Sequence, residues 1–137
     1  MKLTFTVYGI PQPQGSAKAF MNKGMKYPSI TTTNEKLKPW RQEVAGTALI
    51  EMKQQQQQLV DKGPISIEAR FIFAKPKSTK KTALYKVTKP DLDKLIRALC
   101  DALSGIVFRD DAQVVRCVIS KVFGEPNRME VSIESHP

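Results

Sequence analysis

Between Pro90 and Gly105 the chain sets Leu92, Leu95, Ile96, Leu99 and Leu103 at intervals of three and four residues. That spacing predicts a helix over 91–104 with one continuous apolar stripe. Gly105 is a natural stop for it. A helix this short does not persist alone in water, so the fold must offer its stripe a matching apolar face. Residues 64–73 offer one: Ile65, Ile67, Ala69, Phe71 and Phe73 alternate with period two, which predicts a strand buried on one side.

The remaining elements follow the same two periods. Leu3, Phe5 and Val7 predict a strand over 2–8. Residues 9–19, with Gly9, Pro11, Pro13, Gly15 and Ser16, predict a turn-rich loop. A weak hairpin is expected from Lys18 to Tyr27 around Asn22-Lys23-Gly24. Thr31 to Asn34 offer N-caps to a helix running to about Gln57, with Leu37, Trp40, Val44, Ala48 and Met52 on its buried side. The glutamine run 54–58 reads as its frayed, solvated end. Residues 113–123 and 128–134 alternate as two strands with a turn at Gly124–Asn127. The expected architecture is α+β: one small domain over 1–137, a mixed or antiparallel sheet carrying two main helices. Residues 75–89 form its mobile lysine-rich loop.

Charge then narrows function. The chain holds 22 Lys and Arg against 13 Asp and Glu, a formal net charge of +9. Residues 1–90 hold 16 basic and 5 acidic side chains, and residues 91–137 hold 6 and 8. Five of the six aspartates (Asp91, Asp93, Asp101, Asp110 and Asp111) lie between positions 91 and 111. A basic chain suits a polyanionic partner. An acidic knot inside it calls for a counter-charge, and a divalent cation meets that need.

Several classes are disfavoured. The sole histidine is His136, which argues against a histidine base or ligand. Cys100 and Cys117 are too few for a disulfide framework or a zinc site. No apolar run approaches the ~18 residues of a membrane span, so no membrane partner is expected. The first residues alternate like a strand and lack the apolar core of a signal peptide, which makes cytoplasm the default compartment.

Asp91 and Asp93 would diverge by about 200° within a regular helix, but they sit at its boundary after Pro90, where they can converge. If 106–111 turn back beside the helix start, up to four carboxylates meet in an oxygen cage suited to Mg²⁺ or Mn²⁺. Two such ions would serve phosphodiester hydrolysis. The plainer alternative also stands: Asp91 as a helix cap, Asp93–Arg97–Asp101 as a solvated ion-pair row, Asp110–Asp111 as turn residues. Six lysines between 75 and 89 lead straight into the aspartates and read either as a solvated loop or as a phosphate funnel. Few aromatics are available for base stacking, so backbone or shape recognition fits better. A non-catalytic nucleic-acid-binding protein is the main rival. An Asp-x-Asp phosphatase fits least, because Lys86-Val87-Thr88-Lys89-Pro90 is no buried strand.

The stretch from Lys89-Pro90-Asp91-Leu92-Asp93-Lys94 through Arg97, Asp101, Leu103 and Gly105 to Asp110-Asp111-Ala112-Gln113 resembles the RusA family of Holliday-junction resolvases, typically encoded by phages and prophages. The match is close over about 25 residues. The resemblance implies a RusA-like fold and a magnesium-dependent, homodimeric endonuclease with Mn²⁺ as a substitute. It would nick two strands of a four-way DNA junction symmetrically, in recombination and repair. The implied catalytic carboxylates and metal ligands are Asp91, Asp93 and Asp111, with Asp110 adjacent. Arg97 stands where the family has an essential lysine: it can stabilise phosphoryl charge but cannot shuttle a proton. Lys94 stands where the family has asparagine. The lysines expected to grip DNA are Lys18, Lys23 and Lys26 near the N-terminus, Lys75, Lys77, Lys80, Lys81, Lys86 and Lys89 in the loop, and Lys94.

Overall fold

The computed structural model describes residues 1–15, 24 and 34–137, and the main chain of 18–20 and 29–31. Their order is β1 (Lys2–Tyr8), β2 (Lys18–Phe20), β3 (Ser29–Thr31), α1 (Leu37–Gln54), β4 (Ile65–Phe73), α2 (Leu92–Leu103), a 3₁₀ turn (Asp111–Gln113), β5 (Val114–Phe123) and β6 (Arg128–Ser135). Four strands form one mixed sheet in the order β1-β6-β4-β5. β6 runs antiparallel to both β1 and β4, whereas β4 and β5 are parallel and joined through α2. A parallel pair requires such a crossover, and this one carries the acidic segment across the sheet.

The alternation in the strands decides which face is covered. Leu3, Phe5 and Val7 of β1, Ile67 and Phe71 of β4, and Met129, Val131 and Ile133 of β6 are buried together. Against them α1 lays Trp40, Val44, Ala48 and Met52, and α2 lays Leu95, Leu99 and Leu103. These are the two stripes expected from the sequence. Each fully buried Leu or Ile contributes about 1.5–3 kcal/mol. The opposite face is largely polar, with Thr4, Glu68, Arg70, Glu130 and Ser132 along it.

Boundaries differ in three places. The short hairpin exists as β2 paired antiparallel with β3, so its second strand lies beyond Tyr27. Helix α1 begins at Leu37 and stops at Gln54. Gln55 then bonds its side chain to the Thr4 carbonyl and to Glu51, so it docks on β1 instead of fraying. Residues 106–108, strand-like in sequence as Ile106-Val107-Phe108, make no strand: Gly105, at φ +84°, donates to the Phe108 carbonyl and closes a tight turn. Val60 ties this turn down through Val107 and Arg109, burying Val107 and Phe108 fully.

Candidate active site

Asp91 is the N-cap of α2, at φ −69° and ψ 140°. That extended backbone frees it from the helical divergence that would separate it from Asp93. Its carbonyl accepts the Leu95 N–H, but its carboxylate makes no capping hydrogen bond. Both carboxylates are exposed at the positive end of the helix dipole. Among the described residues the nearest cation is Lys94, whose Nζ lies 3.7 Å from Asp91 Oδ2. The capping role open to Asp91 from sequence is therefore not the one its side chain plays.

The segment before Asp91 is held from the sheet. Lys121 of β5 donates from Nζ to the carbonyls of Thr88 and Pro90, each at 2.8 Å. Sequence reasoning passed over Lys121, because nothing in a strand alternation says which cross-sheet carbonyls a lysine will reach.

The second acid pair is built differently. Asp110 caps the 3₁₀ turn: its Oδ1 accepts the Ala112 N–H at 2.9 Å, and Gln113 returns a side-chain bond to the Asp110 N–H. That backbone bond, with a hydrogen bond from Asp111, holds the Asp110 carboxyl below the usual range. Asp111 is pushed up, first by sharing that bond with Asp110, then by desolvation and the negative charges of Asp110 and Asp101. Through Gln113, which donates to the Val60 carbonyl, and Val60, which bonds Val107 and Arg109, this turn is tied to the loop that follows the C-terminal end of α2, the end that carries Cys100 and Asp101. Asp93 lies eight residues earlier on that helix, about 12 Å along its axis. Among the described residues no three His, Cys, Asp or Glu stand close enough to hold one ion, so the four carboxylates do not gather there.

The expected ion-pair row along α2 is absent among the described residues. Asp101 accepts from the Gln14 amide, whose oxygen takes Arg41 Nη1 at 3.0 Å. The N-terminal loop is stitched to α2 again by the Gln14 N–H to the Lys94 carbonyl, 3.0 Å. Arg97 instead faces a cleft of about 430 Å³ with Lys38 and Arg41 of α1 and Glu35. Three basic residues from two helices thus line it. Lys38 and Arg41 were missed in the sequence because each looks like an ordinary exposed residue of α1.

The lysines of 75–89 divide in two. Lys75 bonds the Lys81 carbonyl and lies over the Phe123 ring. Lys86 bonds Thr88 and lies over Phe73 and Phe123. These two fasten the segment to the sheet. Lys77, Lys80, Lys81 and Lys89 are exposed, and their ammonium groups make no hydrogen bond or ion pair among the described residues. Lys18 lies in β2, described by its main chain; Lys23 and Lys26 fall outside the described residues.

The donor chemistry at Asp91 and Asp93 fits a hard divalent cation. Mg²⁺ is ordinarily held by one or two carboxylates, with water and substrate phosphate completing its shell. Two exposed carboxylates, one of them free of capping duty, are such a partial site.

Comparison with known proteins agrees with the motif. Residues 9–134 match the family described as endodeoxyribonuclease RusA. The chain is 32% identical over 144 residues to the uncharacterized protein YqaN of Bacillus subtilis strain 168, covering 96% of this chain and 94% of that protein. It is 34% identical over 71 residues to the crossover junction endodeoxyribonuclease rusA of Lactococcus phage r1t, covering 51% of this chain and 53% of that protein.

Proposed function

The chain belongs to the RusA endodeoxyribonuclease family and is an endonuclease, and from that premise we propose that it resolves four-way (Holliday) DNA junctions by paired symmetric nicks in recombination and repair. Paired nicking calls for two copies related by a twofold axis, hence a homodimer. The work would be done in the cytoplasm, where such DNA is met. Among the described residues no helix is long and apolar enough to cross a membrane.

The observation that carries the reading is the pair Asp91 and Asp93, exposed at the start of α2 with the Asp91 carboxylate free of capping. We assign Asp91 and Asp93 as the carboxylates that bear the divalent cation, Mg²⁺ with Mn²⁺ able to replace it; Asp111, beyond the far end of α2, is too distant within one copy to share that ion. Asp110 acts mainly through its cap. When bound, the cation supplies a lowered water pKa and a counter-charge for the scissile phosphate. Lys121 fixes the Thr88–Pro90 carbonyls and thereby the approach to Asp91. Arg97 offers a permanent positive charge to the developing phosphorane oxygens. Lys77, Lys80, Lys81 and Lys89 hold the DNA backbone from one side of this segment, and Lys38 and Arg41 extend the grip along the cleft. Such contacts are salt-dependent and blind to sequence.

The test is cleavage of a synthetic four-way junction with Mg²⁺. Wild type should give symmetric nicks, and Asp93→Asn should bind the junction without cutting it. Equal cutting by both would remove Asp93 from the chemistry. Salt-sensitive binding by wild type with no cutting under any divalent cation would overturn the proposal.

A further inference from the structure

The outer edge of β5 has no role in the chemistry above. Its last residues are covered by the segment before α2: the Lys86 N–H donates to the Lys121 carbonyl at 3.4 Å, and the Phe123 N–H donates to the Leu84 carbonyl at 2.9 Å. Tyr85 bridges Val122 in the same strip. The stretch Val114–Ser120 has no such partner among the described residues. It is apolar for an edge, with Val115 66% and Val118 48% exposed. A free edge of this length is a template for another strand.

We propose that this edge pairs with the same edge of a second copy, antiparallel about a twofold axis at Cys117, joining the two sheets into one. Three observations meet at that residue. First, the free stretch is bounded by the 3₁₀ turn ending at Gln113 and by the strip that begins at Lys121, and Cys117 is its midpoint. Second, main-chain groups of alternate residues point the same way. Lys121 and Phe123 direct theirs away from β4, so Ile119 and Cys117 do too. An antiparallel pair exchanges both its hydrogen bonds at such a position.

Third, the charges complement. Glu68 lies beside Val118 in the β4–β5 register, on the polar face of the sheet. Neither Glu68 nor Arg116 has an ion-pair partner among the described residues. Pairing at Cys117 sets Arg116 of one copy against Val118 of the other, and its long side chain reaches across to Glu68. The twofold makes this contact twice.

The axis stands perpendicular to the joined sheet, so both α2 helices lie on the same face. Each Lys121, with the Pro90–Asp91 segment it holds, stands four residues from the axis. The two clamps are about 27 Å apart along the strand direction. Two acidic segments facing one side, well separated, suit the two strands of one junction. This last step rests on the proposed function, but the pairing itself does not.

Thiol cross-linking tests it without DNA or Mg²⁺. At a hydrogen-bonded antiparallel pair the Cα atoms are about 5.5 Å apart and the side chains stand farther apart than a direct disulfide allows, so a short bismaleimide is the suitable bridge. Treated with bismaleimidoethane, Cys100→Ser should run as a covalent dimer on a denaturing gel, and Cys100→Ser with Cys117→Ser should not. Arg116→Glu should raise the dimer dissociation constant at least tenfold in sedimentation, and adding Glu68→Arg should restore it. A protein that sediments as a dimer without cross-linking through Cys117, or one indifferent to Arg116→Glu, would overturn the edge pairing. Nicking without cross-linking would retire this interface and leave the junction reading intact. Cross-linking without nicking would do the reverse.

Discussion

One pair of aspartates opens α2 and another lies in the turn that follows it, and the pairs are built on opposite principles. At Asp110–Asp111 local hydrogen bonding absorbs the negative charge: one carboxylate caps a turn and the other shares a bond with it. At Asp91–Asp93 the main chain is positioned from outside, by Lys121, and the Asp91 carboxylate is left free of capping. A carboxylate fixed by its own backbone is largely structural. One whose backbone is fixed by something else is available to a ligand.

The strongest way to break that contrast is to remove a member of each pair. Asp91→Ala should lower junction cleavage by roughly 10²–10⁴-fold, a usual range for one catalytic group, with little change in melting temperature. Asp110→Ala should behave in reverse: a melting temperature lower by a few degrees through the lost cap and cleavage reduced only a few-fold. Matched losses of activity would erase the distinction. Calorimetry and gel cleavage on the same preparations decide it.

Next in size is Lys121→Met, which keeps the apolar stem and removes the donor to Thr88 and Pro90. Cleavage should fall about tenfold or more while junction affinity holds. An equal loss in affinity would make Lys121 a simple DNA-gripping residue. Smaller still is Lys77→Ala with Lys80→Ala and Lys81→Ala. It should weaken binding at low salt and flatten the log–log salt dependence by about 0.9 for each phosphate no longer neutralised. An unchanged slope would show that these lysines do not touch the backbone.

The smallest effect locates Asp111. Burial pushes the Cys100 thiol up to about 12, with further contributions from Cys117, Asp111 and Asp101. Alkylation near pH 8 should therefore modify Cys117 well before Cys100. Asp111→Asn withdraws one negative charge, lowers the Cys100 pKa and speeds its slow alkylation. Asp93→Asn should leave that rate alone. The opposite ranking would place Asp111 beside the start of α2.

Much of this was legible in the chain. The stripes at Leu37–Met52 and Leu92–Leu103 and the alternation at Ile65–Phe73 gave the helices and the central strand, because burial imposes a period on sequence. The motif from Lys89 to Gln113 gave the family. What could not be read is what depends on neighbours distant in the chain. β6 inserts between β1 and β4, Gln14 takes Asp101 away from Arg97, and Lys121 reaches back to Pro90. Each joins partners that share no local pattern. The role of Asp110 was closer to legible: an aspartate three positions before glutamine is a capping-box spacing, outweighed in the sequence by the attraction of a metal role.

The Lys121 clamp has an electrostatic consequence as well. A lysine that binds carbonyl oxygens satisfies its donors without giving up its charge. With Lys94 close to Asp91, two cations therefore accompany the two carboxylates at the head of α2. That neighbourhood sums to nearly zero before anything binds. A negatively charged strand meets no repulsive wall on its way in, and the acidic segment needs no shield of its own to let it near.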